Sequence, residues 1–156
     1  MFDLLFAYVY KRGQLAYHNH HNRKHNIHPT SSIGFVRYGG EADLLVGEHS
    51  FINSGYITGK VTVGKYCAIG YNVSLIGYTH DSDKPTGKPP LPLKRGAITV
   101  KDYAWIGNNA VILPDVIIGE HSIVGANAVV THSVPNNMVF GGVPARFIRE
   151  KPGEDA

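Results

Sequence analysis

The stretch VKDYAWIGNNAVILPDVIIGEHSIVGANAVVTHSV, residues 100–134, decides the fold. Aliphatic residues recur in it at every sixth position, at Val100, Ile106, Ile112, Ile118, Val124 and Val130, and glycine follows at 107, 119 and 125. Four residues after each aliphatic position stand Ala104, Ala110, Val116, Ser122, Ala128 and Val134. Each hexad therefore reads aliphatic, often glycine, two variable, small, variable. Side chains of an extended strand repeat every two residues, so the small residue and the next aliphatic one share a face. A period of six does not match the 3.6 residues of a helical turn and would scatter the aliphatics around a cylinder. Short strands coiled so that aliphatic lies over aliphatic satisfy the pattern, which predicts a parallel β-solenoid. Each stacked Ile or Val then contributes roughly 1.5 to 3 kcal/mol by burial.

Upstream, the rhythm returns at Ile57, Val63, Ile69 and Leu75, with Val61, Cys67 and Val73 in the small positions. Val46 and Ile52 keep it one residue out of phase, which puts a shortened corner within residues 54–60, and Ile33 with Gly34 opens the first turn. At about 18 residues per coil, the two blocks predict four to five coils. Between them the pattern breaks over residues 76–97, a segment holding Pro85, Pro89, Pro90 and Pro92 with Lys84, Lys88, Lys94 and Arg95. That is a loop extruded from the solenoid, stiffened by its prolines. The expected organisation is an N-terminal segment and polar linker over 1–32, a solenoid domain over 33–150 and a tail over 151–156.

A chain of 156 residues holds one compact domain but not two independent cores. Only 17% of it is charged and 18 residues are glycine, a balance that suits a turn-rich β protein. The formal charge of +3 and pI of about 9.0 suit an anionic ligand but fall short of a nucleic-acid-binding signature. Cys67 is the only cysteine, so neither an intrachain disulfide nor a thiolate cluster can form, and a reducing cytoplasm is the expected setting. The apolar run over residues 4–10 is too short to span a bilayer and lacks a basic leader region. It is expected to pack on the protein's own body, with loose membrane association as the alternative. Residues 2–17 suit a short helix interrupted at Gly13. His18, His20, His21, His25 and His28 follow in a polar linker. Their irregular spacing and lack of carboxylate or thiolate partners favour a solvated linker over a metal site.

The repeat, the loop with Thr79, His80 and Asp81, the Trp105-Ile106-Gly107 start of the second block and the ending Gly142-Val143-Pro144-Ala145-Arg146 go together. As a set they resemble the galactoside and maltose O-acetyltransferases and the related surface-polysaccharide O-acetyltransferases of the hexapeptide-repeat family. The similarity covers residues 33–150. It implies an all-β, left-handed parallel β-helix, a handedness opposite to the usual rule for parallel crossovers. It also implies acetyl-CoA as acyl donor, no metal, and a homotrimer with three active sites between neighbouring subunits.

Acetyl transfer from a thioester to an alcohol needs a base to take the hydroxyl proton as the oxygen attacks, a task histidine suits. The resemblance assigns that role to His80, with Asp81 as a residue that orients the imidazole. It implies direct attack on acetyl-CoA without an acyl-enzyme, and the inward phase of Cys67 agrees. Asn53 and Trp105 match acceptor-site positions, Trp105 with its ring outward because it precedes an aliphatic position. Gly70, Gly107, Ala126 and Thr131 match small residues of the coenzyme groove, and Arg146 and Arg149 match basic positions near its phosphates. Two positions depart from the pattern. His132 replaces a usual Lys or Arg, and Asn108 replaces a smaller polar residue.

Other readings share the solenoid. Amino-sugar N-acetyltransferases and serine O-acetyltransferases carry larger additions than the 32 residues before Ile33 allow, and antibiotic acetyltransferases are longer. A γ-class carbonic anhydrase needs two histidines five apart, whereas His121 has Val116 and Ala126 at that distance; His49 and His121 instead occupy matching Gly-Glu-His-Ser segments. A non-catalytic scaffold would need no base in the loop.

Overall fold

The computed structural model describes residues 25–81 and 92–152. These form an all-β, left-handed parallel β-helix of about six coils. No residue among those described is helical. The cross-section has three faces, and each face carries one inward aliphatic column.

The first column runs Ile27, Val46, Val63, Val100, Ile118 and Val134. The second runs Ile33, Ile52, Ile69, Ile106, Val124 and Phe140. The third runs Tyr38, Ile57, Leu75, Ile112 and Val130. Nearly all of these side chains are buried, and Tyr38 and Phe140 close the two ends of the core from partly buried positions. The inward small positions are equally closed: Val61, Cys67, Ala104, Ala110 and Ala128 are each at most 1% exposed.

The coil count exceeds the expected four to five, because the terminal coils use unusual spacings and residues. The first coil puts Tyr38, an aromatic residue, in the third column. The last is short, so that Val134 stacks beneath Ile118 instead of filling a small position. The ladder also opens at Asn26, ahead of Ile33, and draws the end of the histidine-rich stretch into the first coil. There His25 is buried, accepts the Leu44 N–H at Nδ1 and lies 4.3 Å from the Tyr38 ring. The shortened corner lies between Ile52 and Ile57, where five residues do the work of six. The expected helix over 2–17, most of the linker and the proline-rich part of the loop lie outside the described residues.

Two further columns hold the coils in register. Ser31, Ser50, Cys67, Ala104 and Ser122 follow one another inside the corner between first and second faces, and all but Ala104 bring a polar side-chain atom to a place where buried backbone groups need partners. The Ser50 hydroxyl donates to the Gly64 carbonyl at 2.7 Å and accepts the Cys67 N–H at 2.9 Å, while Ser122 donates to the Pro135 carbonyl at 2.7 Å. Outside the same corner His49, Tyr66, Tyr103 and His121 all adopt positive φ and stack ring on ring at 4.7 to 5.1 Å. The matching segments around His49 and His121 are thus the two ends of one aromatic stack. Among the described residues no group of three or more His, Cys, Asp or Glu is placed to hold a metal ion.

The solenoid is interrupted after Ile76, which still pairs with Thr58, and resumes at Ala97, opposite Lys60. Between them an antiparallel arm leaves the edge that joins the third face to the first. Its two strands, Tyr78–His80 and Leu93–Arg95, pair with each other and with nothing in the main sheet.

Candidate active site

The second face carries an outward row that begins one residue before its aliphatic column. Phe51, Ala68, Trp105 and Ile123 lie side by side in it. Trp105 is 53% exposed and Phe51 42%. Two strand spacings separate these aromatics, about 9.5 Å, and the single methyl of Ala68 leaves the gap between them open. Sequence reading singled out Trp105 and missed Phe51. The signal was available, since Phe51 precedes Ile52 as Trp105 precedes Ile106, but a lone aromatic at a variable position has no periodicity of its own.

One residue after the same column the chain turns the edge from second to third face. Asn53, half-buried, stands there in the second coil, followed by Gly70, Gly107 and Gly125 in the next three. A Cβ on Gly107 would meet the Ala126 nitrogen at 2.6 Å, and one on Gly70 the Asn108 nitrogen at 2.8 Å. At Gly107 the obstacle is backbone, and at Gly70 it is backbone together with the Asn108 side-chain oxygen, so the close stacking of coils requires glycine at both points. Ala126 is exposed beside Gly107. Asn108, one of the departures from the family pattern, bonds the Tyr71 N–H through its carbonyl at 2.8 Å and so has a role in joining coils.

The foot of this edge is closed by the C-terminal hairpin. Strand Arg146–Glu150 runs antiparallel to Met138–Gly141, with Arg146 opposite Gly141 and Arg149 opposite Val139. The turn between them contains a cis Val143-Pro144 bond, and the Ala145 N–H bonds the Val129 carbonyl at 2.8 Å. Both arginines are exposed, each with one guanidinium nitrogen 3.0 Å from a backbone carbonyl, Arg146 to its neighbour Ala145 and Arg149 to Glu150. Asn53, Gly70, Gly107, Ala126 and Arg146 therefore line up along one edge, over five strand spacings or about 24 Å.

His80, Asp81 and Thr131 lie elsewhere. Thr131 follows the third column and sits on the edge between third and first faces, its hydroxyl 2.8 Å from Nδ1 of His132. The arm leaves the same edge. His80 is exposed on it, opposite Leu93, and the Asp81 N–H bonds the Pro92 carbonyl at 2.9 Å. In a three-sided prism this edge is the one opposite the second face. The candidate residues thus fall into two groups, one on the second face and its border with the third, the other on the border of the third with the first, and a single chain does not bring Trp105 and the root of the His80 arm together. Cys67 is fully buried, and burial pushes its thiol above the ordinary cysteine range.

Residues 97–132 match the bacterial transferase hexapeptide (six repeats) family description. The chain is 37% identical over 99 residues to a putative lipopolysaccharide biosynthesis O-acetyl transferase, WbbJ, of Escherichia coli K12, an overlap of 58% of this chain and 50% of that protein. It is 39% identical over 93 residues to the galactoside O-acetyltransferase of the same organism, covering 58% of this chain and 44% of that one. The chain thus spans about half the length of the curated relatives it matches. Among solved structures, a hexapeptide-repeat acetyltransferase of Vibrio cholerae complexed with acetyl-coenzyme A superposes with a TM-score of 0.72 at 29% identity, over 83% of this chain and 72% of that one. The repeat, the solenoid and these likenesses make the chain a hexapeptide-repeat, left-handed β-helix protein, similar in sequence and in fold to the acetyltransferases built on that repeat.

Proposed function

We propose that the protein is an acetyl-CoA-dependent O-acetyltransferase acting on a hydroxyl of a saccharide-type acceptor, and that it works as a homotrimer with each site between two subunits. The observation that carries this reading is the division of the candidate residues between the second face with its border on the third and the border of the third with the first. A heterologous contact, in which one border of a chain meets the other border of the next, completes the site and closes into a ring of three.

In that arrangement the glycine edge from Gly70 to Gly107 and Ala126 lays the pantetheine arm of acetyl-CoA along backbone, with Thr131 of the neighbouring chain on the facing side. Arg146 and Arg149 meet its phosphates with guanidinium donors. The gap between Phe51 and Trp105, with Asn53 beside it, receives the acceptor: the rings cover the apolar face of a sugar and the amide fixes a hydroxyl. His80 of the neighbouring arm takes the acceptor's hydroxyl proton as the oxygen bonds to the thioester carbon. The tetrahedral intermediate collapses with cleavage of the C–S bond, and the imidazolium returns its proton to the CoA thiolate. Buried Cys67 has no part in the reaction.

The test is a screen of sugars, nucleotide sugars, amino sugars, serine and acceptor antibiotics with acetyl-CoA, following release of the free CoA thiol. A saccharide hydroxyl should support turnover. His80→Ala should lower that turnover by about 10² to 10⁴ while leaving acetyl-CoA binding intact, the range for a positioned general base. Turnover with amine acceptors alone would replace O-transfer by N-transfer, and a His80→Ala rate within about threefold of the parent would leave the mechanism without its base.

A further inference from the structure

The arm that carries His80 leaves the solenoid between Gly77 and Gly96, whose close approach to the neighbouring coils excludes a Cβ at either position. The Gly77 N–H bonds the Thr58 carbonyl and the Gly96 N–H bonds the Gly77 carbonyl, both at 2.8 Å. The Asp115 carboxylate lies against Gly96 and accepts the Ala97 N–H at 3.3 Å, which fixes the root, and the direction of the arm beyond it is left to the first residues of the arm itself. These are Tyr78 and Arg95, which face each other across the two strands.

Both meet the same feature of the first coil. Between Gly39 and Asp43 that coil holds Gly40, Glu41 and Ala42 against the single residue Gly59 of the second coil, and Gly40 and Glu41 bulge outward while Ala42 stays buried. Gly40 has φ of 58° and lies directly under the Tyr78 hydroxyl, with the ring carbon bearing it 3.0 Å from where a Cβ would stand. Arg95 forms an ion pair with Glu41 at 3.1 Å. That pair is exposed on both sides, and such pairs contribute little. The Tyr78 contact, half-buried and against a surface only glycine provides, is the stronger of the two.

Tyr78 and His80 are two residues apart in one strand and therefore lie on the same face of the arm. We propose that Tyr78, seated on the Gly40–Glu41 bulge, is a positioning residue that sets where the arm presents His80 to the neighbouring subunit. This rests on His80 acting as the base. A displacement of the base of about an ångström is worth up to roughly 100-fold in rate, so the seat acts on turnover and not on coenzyme affinity.

The experiment compares Tyr78→Ala, Gly40→Ala and Gly40→Ala with Tyr78→Phe, in the full-length protein. Amide hydrogen exchange is read over residues 78–80 and 93–95, and turnover with acetyl-CoA and methyl β-galactopyranoside. Tyr78→Ala should speed exchange in the arm alone and lower kcat by about 10- to 100-fold, with KM for acetyl-CoA within twofold of the parent. Gly40→Ala places a methyl against the Tyr78 hydroxyl and should act likewise, and removing that hydroxyl in the double variant should recover part of the loss, the ring carbon at 3.0 Å and the φ of 58° still bearing on the methyl. Unchanged arm exchange in Tyr78→Ala overturns the seat. Parental kcat in Tyr78→Ala alongside an inactive His80→Ala overturns the positioning role alone, whereas parental kcat in His80→Ala removes the base assignment on which it rests.

Discussion

Replacing Ser50 by alanine tests the buried hydroxyl column that ties neighbouring coils together. The Ser50 side chain is at most 1% exposed, donates to the Gly64 carbonyl at 2.7 Å and accepts the Cys67 N–H at 2.9 Å. Alanine has neither function and leaves too little space for a replacement water, so two backbone groups lose these bonds in a closed interior. A buried polar group deprived of its partner costs about 1 to 3 kcal/mol, and the Gly64 carbonyl with its second lone pair loses less than the Cys67 N–H. The expected total is about 2 to 4 kcal/mol. Ser133→Ala is the control: that hydroxyl also accepts a backbone N–H, from Ile117 at 2.9 Å, but on an exposed residue where water substitutes, so about 0.5 kcal/mol is expected. Urea unfolding at one fixed protein concentration gives the comparison, as a lowered midpoint with unchanged slope. Equal losses in the two variants would refute the argument, because burial would then have no bearing on what the hydroxyl contributes.

Cys67 should resist a water-soluble disulfide reagent in the native protein and react fully once unfolded; rapid native labelling would show that the thiol is not enclosed. Because burial raises its pKa in the folded chain, the unfolded chain loses this proton first as pH climbs. The associated stability is fully present below the unfolded value of about 8.5 and declines above it, and Cys67→Ser should flatten that decline in unfolding measured against pH. Arg146→Ala should raise the acetyl-CoA dissociation constant by about 10- to 150-fold in calorimetric titration, the equivalent of one charge-assisted contact at 1.5 to 3 kcal/mol, and an unchanged constant would remove Arg146 from the site.

The core was legible because a solenoid writes its cross-section into the sequence six residues at a time. Val100 to Val130 could be assigned to columns from spacing alone, and the rhythm breaks after Leu75, close to where the chain leaves the solenoid after Ile76. What spacing missed lies where the coil departs from 18 residues. Tyr38 and Phe140 fill aliphatic columns with aromatic rings, and the shortened last coil shifts Val134 from a small position to an aliphatic one. His25 looked like part of a solvated linker, since nothing in its neighbours announces the Leu44 N–H that it accepts. The candidate residues were picked from the sequence one at a time, and their division between two edges was not legible in it. That division depends on which face each column occupies and on where the arm leaves the prism, neither of which a repeat period contains. Phe51 and the Tyr78 seat on Gly40 were missed for the same reason, as each gains meaning only from a residue one or more coils away.

The central claim, that each site is shared between two subunits, is tested most directly by complementation. Trp105→Ala and His80→Ala each disable one half-site, on opposite parts of the prism. The two variants are unfolded, mixed in equal amounts and refolded together, and acetyl transfer to the acceptor is followed through CoA release. In a closed ring of three, a site is intact when a chain with His80 precedes one with Trp105, so the mixture should regain about one quarter of parental activity. Mixed trimers with no more activity than either variant refolded alone would contradict the shared site.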